Sequence, residues 1–402
     1  MSGVIVQRSA GCLLGFCFSL LTACGGSESS AATGGSSSST GGSSANGGTS
    51  TTGGNSTSGN TSTGGSTASG GSSSIGGTTA QGGTPPTETF PTGFGAAEPF
   101  VTKLTRPVRI GFKNGFLYFT EMGLADGSMS RLARRDAAGT VQTLFTGNTV
   151  AALFLDDDEL FFVERGTHSV FRMKYATLAV EKFATTPDTV HVGDLARLGE
   201  NIWLSEFGVN STTTAVVMQP RTGGAAQDVL PVATRGFIFT YMTVAANQVY
   251  LSTQGTASGL FKGSASSPPA LSVTGIRTNR TTADANFIYV GSDDDGRVLR
   301  QAHGATMSPE LVADGQNHPF AVAVDTGGIY WTNGPDCDPD TSGAPLGSVV
   351  ARALASGSPV TVAANEQCPQ AIITDPDYVY WIRENPADGI GDDTIMRAKK
   401  LR

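Results

Sequence analysis

Arg109, Asp194, Tyr241 and Arg280 are the side chains whose type and spacing bear most directly on chemistry. Each stands nine residues before one of seven regularly placed aromatics, in a column completed by Ala152, Ala321 and Ala371. Two guanidinium groups, a carboxylate and a phenol in otherwise small company suit the capture of an anion through charge-assisted hydrogen bonds. The next column, Ile110, Leu153, Leu195, Met242, Thr281, Val322 and Ile372, is mostly apolar and reads as packing. His191 and His318 fall near the same level, either as ligand contacts or as histidines hydrogen-bonded at a rim.

The aromatics that set this register are at positions 118, 161, 203, 250, 289, 330 and 380, with steps of 39 to 50 residues. They lie in the segments LYFTE, LFFVE, IWLSE, VYLST, IYVGS, IYWTN and VYWIR. An apolar run such as ALFLD or AVAVD precedes each, across a turn rich in Asn, Asp and Gly, for example Lys113-Asn114-Gly115. Such residues tolerate the left-handed backbone of tight hairpins. A third strand follows, usually ending in Arg or Lys, and then a shorter fourth. Four antiparallel strands per 40–45 residues describe a β-propeller blade. The fold expected is therefore all-β, a propeller over residues 98–402, with the −9 column at the mouth of its central channel. The seventh repeat lacks a fourth strand, whereas residues 100–106 have no blade of their own. Pairing 100–106 beside 393–399 would close a ring of seven and cover an open edge.

Tyr330-Trp331-Thr332 and Tyr380-Trp381-Ile382, taken with the period, resemble the YWTD propellers of low-density-lipoprotein-type receptors and related bacterial propellers. That resemblance implies six blades, which stands as the alternative to the seven counted from the strands. Propellers host many unrelated activities, so the likeness carries no function with it.

The repeated acids Glu121, Glu164 and Glu206, and the basic residues closing the third strands, occur blade after blade. Such repetition suits ties between strands and blades better than a single site. Cys337 and Cys368 are the two cysteines of the propeller portion and fall in connections expected on one face. A disulfide is the expectation, with free thiols or a metal site as alternatives. Asp336, Asp338 and Asp340 alternate before Gly343, and Asp293-Asp294-Asp295-Gly296 crowds the matching loop one blade earlier. Oxygen-rich loops of this kind can hold calcium, although neither has a complete calcium-loop spacing. No other cofactor is implied.

Enzyme signatures are missing from the sequence. The propeller portion has no Gly-x-Ser-x-Gly, and neither HExxH nor a Walker pattern occurs. The metal cluster of gluconolactonase-type propellers would need Glu, Asn, Asn and Asp on inner strands, where this chain offers Asp194 among arginines. A net charge of −8 with no basic stripe argues against nucleic acid.

Residues 1–23 combine Arg8 with an apolar run from Ala10 to Leu21, too short to span a bilayer and suited to a cleaved signal. The run ends in Leu21-Thr22-Ala23-Cys24, which resembles the lipobox of bacterial lipoproteins; an ordinary signal peptide is the alternative. The resemblance implies an acylated Cys24, and Gly25-Gly26 after it implies sorting to the outer membrane. Residues 24–97 are dominated by Gly, Ser and Thr, a composition expected to stay disordered and to act as a spacer. A coil of about 60 such residues spans roughly 45 Å. The functional expectation is a monomeric, membrane-anchored, extracytoplasmic binding or scaffold module for an unidentified protein, peptide or glycan. The alternative is a periplasmic or surface hydrolase or lyase acting on an anionic small molecule held by Arg109 and Arg280.

Overall fold

Strands that alternate aromatic and β-branched residues, punctuated by tight turns, hydrogen-bond to their sequence neighbours before anything else. The computed structural model describes residues 89–402 apart from 125, 210–212, 235–236, 256–257, 306–307, 335–345 and 386–391. Its strands form seven antiparallel sheets. The first blade is Pro107–Lys113, Phe116–Glu121, Arg131–Arg135 and Val141–Thr146, from the channel outward, and the next five repeat that order. The innermost strands touch one another in sequence, and that of the seventh blade, Pro369–Thr374, touches that of the first. The ring closes at seven blades, not six.

The seventh blade borrows its outer strand from the other end of the propeller. Glu98–Leu104 pairs antiparallel with Asp393–Leu401, with Val101 opposite Ile395 and Leu104 opposite Asp393. Val101 and Leu104 are buried in one cluster with Ile382 and Ile395. Upstream, Gly93–Phe94 adds a short strand to the far end of Asp393–Leu401.

Sequence features repeated in the blades have repeated structural jobs. The motif aromatics Tyr118, Phe161, Trp203, Tyr250, Tyr289, Tyr330 and Tyr380 are all buried, each contributing about 1.5–3 kcal/mol of hydrophobic burial. Where the aromatic is tyrosine and an aspartate precedes it by five residues, the hydroxyl donates to that carboxylate. The distances are 2.7 Å for Tyr289 to Asp284, 3.0 Å for Tyr330 to Asp325 and 2.9 Å for Tyr380 to Asp375. The other carboxylate oxygen accepts turn N–H groups, so one aspartate fixes both turn and ring. At Asn114-Gly115, with φ of 52° and 79°, both turn residues are left-handed, as a two-residue hairpin requires.

Two of the repeated acids, Glu121 and Glu164, are structural. Glu121 accepts from the backbone N–H of Thr105 at 2.7 Å and pairs with Arg131; Glu164 accepts from that of Asn148 at 2.7 Å. Each ties the end of a second strand to the segment leading into its own blade. The third-strand cations reach further. Arg172 donates to the carbonyl of Arg221, Lys262 to that of Ala305 and Arg352 to that of Val312, each in a neighbouring blade.

Candidate functional site at the channel mouth

An inner strand can present a side chain to the channel only if its pleat is adjusted there. Six of the seven inner strands contain a register shift near their start, for example between Pro107 and Arg109, between Val192 and Asp194 and between Phe239 and Tyr241. Such bulges re-aim the side chain beside them. A hydroxyl on the second strand holds some of them open: the N–H of Asp194 donates to Ser205 Oγ at 2.9 Å, and that of Ala321 to Thr332 Oγ1 at 3.1 Å. Thr332 in turn donates to the carbonyl of Gln370 in the next blade at 3.0 Å.

Arg109, Asp194, Tyr241 and Arg280 consequently meet at one end of the channel, around a small cavity that opens to solvent. The Arg109 guanidinium lies 4.7 Å from the centre of the Tyr241 ring, and that of Arg280 lies 5.0 Å from it. The two arginines come from the first and fifth blades, and Arg280 also crosses the mouth to donate to the carbonyl of Val108. Arg109 Nη2 is 3.5 Å from Asp194 Oδ1, while Asp194 Oδ2 accepts from the Met242 N–H at 3.0 Å. Arg280 Nε is buried without a hydrogen-bond partner. Burial, and then the like charge of Arg109, lowers Arg280 to about 10, so it remains a cation at neutral pH.

The packing column also reaches this cavity. Ile110, Leu153, Met242, Val322 and Ile372 belong to five different inter-blade hydrophobic clusters, and each exposes an edge to the channel wall. Thr281 and Thr282 supply hydroxyls.

The two histidines stand apart from the cavity lining. His191 stacks on His168, with ring centres 5.3 Å apart and planes 6° from parallel. Burial, then Arg165 and His168, lowers His191 to about 4, which leaves it neutral. His318 pairs with Asp293 at 3.0 Å. Asp293 and Asp294 also face Arg277, and Asp295 faces Arg297, so these aspartates are neutralised by the protein itself.

Two charged residues at this end were not singled out by their spacing. Arg165 and Glu384 both lie four residues after a motif aromatic, in a column with Met122, Phe207, Gln254, Asp293 and Gly334. That column varies in charge and size as the −9 column does, and this variation is the signal that could have found them. Arg165 donates to the carbonyl of Val192 at 3.4 Å, and burial followed by the charge of Arg109 lowers it to about 10. Glu384 is raised to about 7, first by burial and then by Asp393, against the pull of Arg106 and Arg280.

Among the described residues, one group of carboxylates is close enough to share a metal, Asp156, Asp158 and Glu159. Arg197 binds Asp156 at 2.8 Å and Arg221 binds Glu159 at 2.6 Å, so guanidinium groups already fill that cluster. Cys368 is buried with a free thiol. Cys337, its expected partner, lies outside the described residues, as do Asp336, Asp338 and Asp340 and the lipidation candidate Cys24.

No family model and no curated protein matches the chain. Solved structures do. Virginiamycin B lyase from Staphylococcus aureus is similar with a TM-score of 0.58 and 11% identity, over 76% of this chain and 98% of that one. An oligogalacturonate lyase in complex with manganese gives 0.56 and 12%, over 77% and 99%. Oligogalacturonate lyase from Vibrio parahaemolyticus gives 0.52 and 11%, over 78% and 92%. At these identities the likeness is one of fold.

Proposed function

We propose that this chain is a lipid-anchored, extracytoplasmic propeller that binds an anionic small molecule, or the anionic end of a larger one, at the arginine-lined mouth of its channel. The observation that carries the reading is the convergence of Arg109 and Arg280 on Tyr241, with Asp194 the only carboxylate lining the cavity among the described residues. A carboxylate entering there would meet the guanidinium groups of Arg109 and Arg280. The anchor rests on Leu21-Thr22-Ala23-Cys24, and the protein is read as monomeric and as an outer-membrane lipoprotein.

A second reading, a hydrolase or lyase acting on the same anion, draws on Glu384. A carboxyl raised to about 7 near Arg280 has the acidity of a general acid or base. Binding is preferred because Glu384 is not among the residues lining the cavity.

The test is calorimetric titration of the full chain carrying Cys24→Ser with isovalerate, galacturonate and inorganic phosphate. At least one should bind, and Arg280→Met should weaken it tenfold or more, the scale of a lost charge-assisted hydrogen bond. Absence of binding by all three, or binding indifferent to Arg280→Met, overturns the proposal.

A further inference from the structure

The cavity beneath the arginines is not a polar funnel. Beside Arg109, Arg280, Asp194, Tyr241 and two threonines its wall is made by Ile110, Leu153, Met242, Val322, Ile372 and Ile373. Each of these is at most 5% exposed, so a ligand entering the channel would complete an apolar enclosure. Arg109 is the third residue of Pro107–Lys113 and Arg280 precedes Thr282–Ala283 by two, whereas Val322 and Ile373 stand one and two positions further along in the repeat register. Charge is therefore concentrated at the mouth and apolar surface below it.

We infer that the ligand is an amphiphilic monocarboxylate, with its carboxylate held by Arg109 and Arg280 and a short aliphatic tail inserted into the channel. This inference rests on the anion-binding reading above and narrows it. A highly hydroxylated acid would place most of its hydroxyls against aliphatic walls, with Asp194, Tyr241, Thr281 and Thr282 to receive the remainder. Burying a hydroxyl without a partner opposes binding. Inorganic phosphate would leave the apolar part of the cavity unused. A branched or linear chain of a few carbons uses both parts, and each buried methylene strengthens binding about fourfold.

The experiment compares acetate, propionate, butyrate and isovalerate with galacturonate and inorganic phosphate. Titrations are run at two temperatures on the full chain carrying Cys24→Ser and on the same chain with Arg280→Met. Affinity should rise severalfold with each added carbon from acetate to butyrate, and the heat-capacity change should become more negative. Val322→Thr, a change of polarity at nearly constant shape, should shrink the butyrate-to-acetate ratio by at least threefold. Its melting temperature serves to show that the variant is folded. Should galacturonate or phosphate bind in an Arg280-dependent way while butyrate binds no better than acetate, the aliphatic inference fails and the anion site stands. Should no probe bind in an Arg280-dependent way, both fail.

Discussion

Spacing located Arg109, Asp194, Tyr241 and Arg280 because a bulge near the start of most inner strands keeps the −9 position in a common place from blade to blade. His191 and His318 shared the level but not the direction. Each lies three residues before a −9 position, across the bulge, and each is taken up by protein partners, His168 and Asp293. Arg165 and Glu384 were harder to read because they follow a position that looks like the end of the repeat. The repeated acids are also not equivalent. Glu121 and Glu164 accept backbone N–H groups, whereas burial, reinforced by Asp228, pushes Glu206 from 4.5 to about 7. Below about pH 4.5 Glu206 is protonated whether the chain is folded or unfolded, and its burial carries no charge cost. Between about 4.5 and 7 the unfolded chain ionises it while the native chain does not, so stability falls as pH rises. Glu206→Gln should therefore melt at nearly the wild-type temperature at acid pH and above it at pH 8. Thermal melts across this range check the prediction, and a difference that does not change with pH would refute it.

At the scale of elements, most of the blade plan was legible because each strand announces itself locally. The Asp-to-Tyr bond across five residues and the left-handed Asn114-Gly115 turn are short-range devices, fully contained in one hairpin. Non-local pairing is less visible, since nothing within Glu98–Leu104 says which distant strand it joins. Its place follows from the missing fourth strand of the seventh repeat and from the alternation that buries Val101 and Leu104. Leu104 is fully buried against residues of the first and seventh blades, including Ile110, Ile382 and Ile395. Leu104→Ala should thus cost about 2–5 kcal/mol, the range for opening a cavity in a packed core. Val141 occupies an outer strand too, in the first blade, but is 40% exposed. Val141→Ala should stay within about 0.5 kcal/mol of wild type. Denaturant unfolding of the two variants provides the comparison. Equal losses would mean that Glu98–Leu104 is no more important to the fold than an exposed outer strand.

At the scale of the molecule, the inner strands all run from the arginine mouth toward their hairpin turns, so the channel has chemically different ends. The first described residues lie at the turn end. Thr89 and Phe90 pack against Gly327 and Gly328, where even a Cβ on Gly328 would meet the Phe90 ring at 2.8 Å. Phe94 then continues edge-on to Tyr330, with ring centres 6.4 Å apart. The first described residues therefore join the propeller at the face opposite its candidate site. If Cys24 carries the acyl groups and residues 24–97 act as a spacer, attachment to a membrane leaves the arginine mouth accessible. Two consequences can be measured together. Cys24→Ser should shift the protein from the detergent phase to the aqueous phase, since two acyl chains suffice for stable anchoring and none would remain. The lipidated protein in vesicles of neutral phospholipid should bind isovalerate with the same affinity as the Cys24→Ser chain in solution, read by titration of both preparations. Retention of the variant in the detergent phase would remove the basis for the anchor. Loss of isovalerate binding on the vesicles alone would show that the membrane covers the mouth and that residues 24–97 do not act as a spacer.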